Sequence, residues 1–70
     1  MTGAVQIVVN GESREVDGNI TVAELVSRLG LPTERIAVER NRKIIRKQDW
    51  HDVEVAQGDR FEIVHFVGGG

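Results

Sequence analysis

Three kinds of group in this 70-residue sequence could carry chemistry: the histidines His51 and His65, the serines Ser13 and Ser27, and the carboxyl group that follows Gly68, Gly69 and Gly70. The histidines could act as bases or metal ligands. They show no H-x-x-x-H spacing, and no cysteine accompanies them. Their plainer reading is as surface or half-buried polar side chains. Neither serine lies in a nucleophile-elbow sequence or beside a base. Thiolate catalysis, disulfides and cysteine-ligated zinc are excluded, because the sequence has no cysteine. No metal site and no bound cofactor are expected, and a self-contained active site is disfavoured, since one thin layer seldom encloses a pocket.

The closing stretch "VHFVGGG", Val64 to Gly70, is different. Glycine has no Cβ, so its backbone can come close to another surface. Three extended residues reach roughly 10 Å, far enough to carry a carboxyl group into a neighbour's active site. A carboxylate with a pKa near ~3.5 is ionised at neutral pH and is a poor electrophile until it is activated. The alternative is an inert, frayed end. The glycines alone leave both readings open.

The elements that must position this tail follow from periodicity. "VQIVVN", Val5 to Asn10, alternates as a strand, Asn10-Gly11 is a hairpin turn, and "SREV", Ser13 to Val16, returns as the second strand. Met1 to Ala4 read as a loose lead-in, and Asp17-Gly18-Asn19 as a loop. "TVAELVSRLG" predicts a helix: Thr21 and Glu24 have capping-box spacing, and Ile20 is placed to staple onto Leu25. Val22, Leu25, Val26 and Leu29 form one apolar face. Gly30 ends the helix and Pro32 prevents its resumption. "RIAVERN" is a short strand with Ile36 and Val38 on one face, and "RKIIRK" is another short apolar run. "HDVEVAQGDR" is mostly connection with a Gly58-Asp59 turn, and "RFEIVHFV", Arg60 to Val67, is the last strand. A hairpin, one helix and further strands give the α+β layering of a β-grasp domain. A mixed sheet of four to five strands is expected, with the helix across one face and the last strand beside the first as its parallel neighbour. Residues 1–67 would form the domain and 68–70 a flexible tail.

On the last strand, Phe61 and Ile63 take the core phase, and Val64 and Phe66 the outward phase. Val8 shares the outward phase on the first strand. Apolar residues on an uncovered sheet face beside the tail are candidates for partner binding, although single exposed apolar residues are common. Arg40, Arg42, Lys43, Arg46 and Lys47 place five cations in eight residues. They occupy both phases of the run, which suits a charge-protected edge strand better than a recognition stripe. Trp50, the one tryptophan, reads as packing rather than as an interface anchor.

Ala37 to Trp50 and Gly58 to Gly70 together resemble the thiamin-biosynthesis sulfur carriers of the ThiS family. The likeness runs from the "VNG" hairpin through "TVAELVSRLG" to the glycine tail. It includes the A-V-E-x-N strand, the Arg46-to-Trp50 turn and the Gly-Asp turn. Ile45 departs from it, standing where proline often precedes the arginine. The resemblance implies a ubiquitin-like β-grasp fold and a protein cosubstrate rather than an enzyme. A ubiquitin-activating-type enzyme would spend ATP to adenylate Gly70. Sulfur from a persulfide donor protein would displace AMP and leave a thiocarboxylate, which thiazole synthase would consume. Gly70 would bear the sulfur, Gly68 and Gly69 would thread the partner's channel, and Val64 and Phe66 would form the recognition face. Val8 is added from strand phase alone.

The formal net charge of −2 gives no reason to expect nucleic acid as a partner. No apolar run approaches the ~20 residues that span a bilayer. A cysteine-free chain without a signal peptide fits the cytoplasm, and a monomer is expected when the chain is free. Three other readings are the small subunit of molybdopterin synthase, a protein modifier forming isopeptide bonds, and a β-grasp binding module with an inert tail.

Overall fold

A computed structural model describes residues 3–66. The predicted tail at 68–70 and the end of the last strand at Val67 lie outside the described residues. Strand β1 spans Ala4–Val9 and β2 spans Glu12–Asp17. Helix α1 spans Val22–Arg28, β3 spans Ile36–Arg40, β4 spans Lys43–Ile45 and β5 spans Arg60–His65. The sheet order is β2-β1-β5-β3-β4. The β1–β5 pair is parallel and the other pairs are antiparallel. The last strand is therefore central, and β4, in the middle of the cationic run, is an edge, as its charge pattern predicts.

The hairpin forms because Asn10 and Gly11 both take positive φ, 50° and 84°. It is longer than predicted: Ala4 belongs to β1 and pairs with Asp17, so the lead-in ends one residue earlier. Helix α1 opens with the expected reciprocal box. Glu24 N–H donates to Thr21 Oγ1 at 3.2 Å, and Thr21 N–H donates to Glu24 Oε1 at 2.9 Å. Its end is a double closure. Gly30 N–H donates to Ser27 O at 3.0 Å and Leu31 N–H to Val26 O at 3.4 Å, with Gly30 at φ 70°.

The stretch predicted as connection does more than connect. Val53 O and Trp50 O accept from the N–H groups of Val22 and Ala23, at 2.8 and 3.0 Å. The loop thus satisfies first-turn donors of α1 that the helix itself cannot. Val55 N–H donates to Ile20 O at 2.8 Å, and Thr21 bridges to Glu54. Trp50 is buried in the core, and its Nε1–H donates to Ile45 O at 3.0 Å. Val22, Leu25 and Val26 of the helix meet Ile7, Val38 and Phe61 of the sheet in one apolar cluster. Burying each such side chain contributes about 1.5–3 kcal/mol. No helix among the described residues is long and apolar enough to cross a membrane.

Candidate functional site

The helix covers one face of the sheet and leaves the other open. Phe61 and Ile63 of β5 are buried beneath the helix, and Glu62 and Val64 point outward, as alternation requires. Val64 is 51% exposed and Phe66 is 57% exposed. Val64 lies opposite Ala37 of β3. One residue pair further along the same face, Glu62 stands opposite Glu39, and Glu39 in turn opposite Ile44 of β4. Ile44, 72% exposed, is the apolar residue of this face that the sequence reading did not single out. The two adjacent isoleucines of "KII" do not say which faces out; pairing with β3 sets Ile45 opposite buried Val38, so Ile44 faces out.

Val8 is placed differently from its predicted companions. It does share the outward phase, since Ile7 and Val9 on either side are buried. The parallel register, however, sets Val8 beside Arg60. Val64 is four residues further along β5, about 13 Å at a rise of 3.3 Å per residue. Arg60 and Glu62 lie between, so Val8 is separated from the patch formed by Val64 and Phe66. Strand phase fixes a face but not a position along it, and register decided the rest.

The strand is held on both edges almost to its last described residue. On the β3 side, Phe66 N–H donates to Arg35 O at 2.7 Å. On the β1 side, Asn10 N–H donates to Phe61 O at 2.9 Å. Beyond it, the Asn10 side chain takes over: Ile63 N–H donates to Asn10 Oδ1 at 2.8 Å, and Asn10 Nδ2 donates to Ile63 O at 3.2 Å.

At the opposite end of β5, Asp59 is buried and anchors the turn that feeds the strand. Its Oδ2 accepts from Arg40 Nε and from Ala56 N–H, each at 2.8 Å, and its Oδ1 accepts from Asn41 Nδ2 at 3.2 Å. Burial alone would raise this carboxyl's pKa. The Arg40 hydrogen bond, the Ala56 amide and the Asn41 amide outweigh it, and the pKa lies below its ordinary value. These groups build the turn rather than a reaction centre. His51 and His65 are both exposed and lie apart, one in the loop after Trp50 and the other at the end of β5. Among the described residues no group of three His, Asp or Glu side chains is arranged to hold a metal. Gly68, Gly69 and Gly70 lie outside the described residues.

A sequence profile of the ThiS family matches residues 7–70. This chain belongs to the ThiS family. Among the relatives of this ThiS-family chain, the sulfur carrier protein ThiS of Bacillus subtilis is 46% identical over 50 residues, which cover 71% of this chain and 76% of that one. The thiazole synthase of Paramagnetospirillum magneticum is 42% identical over 66 residues, 94% of this chain. The ThiS-family chain spans only 20% of the length of that synthase, and the same share of a second one, from Magnetococcus marinus. The crystal structure of a thiamine biosynthesis protein (ThiS) from Geobacter metallireducens superposes with a TM-score of 0.82 at 33% identity, covering 94% of this chain and all of that one. The fold is accordingly the ubiquitin-like β-grasp of ThiS proteins.

Proposed function

We propose that this chain is a sulfur carrier of thiamin biosynthesis and that the carboxyl of Gly70 is its working group. The single observation that carries the reading is the family match, which runs through residue 70 and so includes the glycine tail. The open face supports it: exposed apolar residues Val64 and Phe66 stand on and just after the strand that precedes that tail in the sequence.

In this reading the chain supplies a substrate, and its partners supply catalysis. An adenylating enzyme of the ubiquitin-activating type binds the face around Val64 and Phe66 and receives Gly68 and Gly69 in a narrow channel. A carboxylate oxygen of Gly70 attacks the α-phosphorus of ATP and pyrophosphate leaves. The outer sulfur of a donor protein's persulfide then attacks the acyl carbon and expels AMP. A thiol that reduces the resulting S–S bond frees the C-terminal thiocarboxylate. Thiazole synthase takes up that sulfur. Polypeptides named thiazole synthase that contain a stretch like this chain support that destination.

The test is the intact mass of the protein purified from cells growing without thiamin. A mass gain equal to replacing one oxygen by sulfur, located on Gly70 by fragmentation, is expected. Deleting Gly70 should abolish pyrophosphate release by the adenylating enzyme and leave the folded spectrum unchanged. A chain that is never sulfurated, or a deletion that remains fully active, overturns the reading. Molybdoenzyme loss that thiazole feeding does not relieve would assign the chain to molybdopterin synthesis instead.

A further inference from the structure

β5 outlasts its parallel partner. β1 pairs with it only at Val8↔Arg60 and Val9↔Phe61, and then the chain reverses at Asn10-Gly11. β5 continues to His65. Main-chain polar groups of alternate strand residues face the same edge. On the β1 edge, Asp59 O accepts from Val8 N–H, and Phe61 O accepts from Asn10 N–H. Ile63 is the next residue to face that edge, and β1 has already turned away. Its N–H and C=O would lack a strand partner.

The Asn10 carboxamide fills that position. It offers one acceptor and one donor side by side, as a peptide unit does, and both are used on Ile63. Asp would lose the donor, Ser could not span both atoms, and Gln carries the amide one carbon further out. The turn alone does not require this side chain, because glycine suits a φ of 50° at least as well. Asn10 therefore performs two separable tasks. It reverses the hairpin, and it acts as one further rung of the sheet.

We propose that Asn10 is a positioning residue for the C-terminal carboxyl: by clamping Ile63 it fixes the last part of β5, the strand that precedes the glycines in the sequence. The proposal rests on the carrier reading of Gly70. Arg35 O restrains the other edge at Phe66, so the end of the described chain is held from two sides. An activated carboxyl must meet ATP in line, and loss of such alignment lowers the rate rather than the affinity.

Asn10→Gly preserves the turn and removes the clamp. In the isolated variant the Ile63 amide should exchange with deuterium about tenfold faster or more, with Trp50 fluorescence unchanged. With the adenylating enzyme and ATP, kcat for pyrophosphate release should fall about tenfold while the Kd of the protein complex changes less than about twofold. Should Asn10→Gly not fold, Asn10→Ala, which removes both bonds to Ile63, is read in the same two assays. Unchanged Ile63 exchange, or faster exchange with wild-type kcat, overturns the proposal. A wild-type chain that is never adenylated overturns the carrier reading, and the presentation role with it. The exchange comparison needs no partner and then still decides whether Asn10 holds β5.

Discussion

Arg42 carries a backbone conformation that its side chain disfavours. With φ values of 52° and 73°, Asn41 and Arg42 form a second left-handed turn, between β3 and β4. Asn41 compensates through its side chain, whose Oδ1 accepts from Arg60 N–H at 3.0 Å while its Nδ2 reaches Asp59. Arg42 has no such return. Arg42→Gly should stabilise the domain by about 1 kcal/mol, the cost of a left-handed residue bearing a Cβ. Urea unfolding followed by Trp50 fluorescence measures it, and an unchanged or lower midpoint refutes the idea. This turn was not legible in the sequence because its usual marker, a glycine in the second position, is missing. Asn10 presents the converse case. Its turn was legible from Asn-Gly, and that sufficient explanation concealed its second task on Ile63.

Among the elements, β5 is where buried and exposed apolar residues divide between the two faces of one strand. Phe61 and Ile63 belong to the core; Val64 and Phe66 do not. A change at Phe66 should therefore affect binding more than folding. Phe66→Asp is expected to shift stability by no more than about 0.5 kcal/mol. The same change should weaken the complex with the adenylating enzyme by about 1 kcal/mol or more. Urea unfolding checks the first and calorimetric titration of the folded variant the second, and wild-type affinity would remove Phe66 from the docking face. Alternation made this division readable in advance, because period two needs no tertiary information. It could not place Val8, which the parallel register moves away from Val64, nor add Ile44, whose exposure follows from pairing with β3.

For the whole molecule, Asp59 links acidity to integrity. Its carboxylate joins the end of β3, the turn between β3 and β4 and the loop before β5 through Arg40, Asn41 and Ala56. Its pKa is lowered in the fold. A depressed carboxyl contributes stability in full above its unfolded pKa of about 3.9, and that contribution is lost as pH falls through the folded value. The domain should therefore lose stability progressively below about pH 4. Asp59→Asn should cost about 2 kcal/mol near neutrality, by breaking the charge-assisted bond to Arg40, and should flatten the acid decline. Denaturation midpoints measured between neutral and acid pH test this. A variant with the same acid slope as wild type would show that other carboxylates govern the loss.

By itself the sequence determined the hairpin, the capped helix, the core phase of β1, β3 and β5 and the family likeness. These depend on neighbours within a few residues, where turn chemistry, capping and period-two or helical spacing act directly. Tertiary structure alone decided the register between β1 and β5, and with it the isolation of Val8 and the clamp from Asn10 to Ile63. Those two residues are 53 positions apart. No local rule connects them; they meet because the parallel register of β1 on β5 sets the Asn10-Gly11 turn beside Ile63.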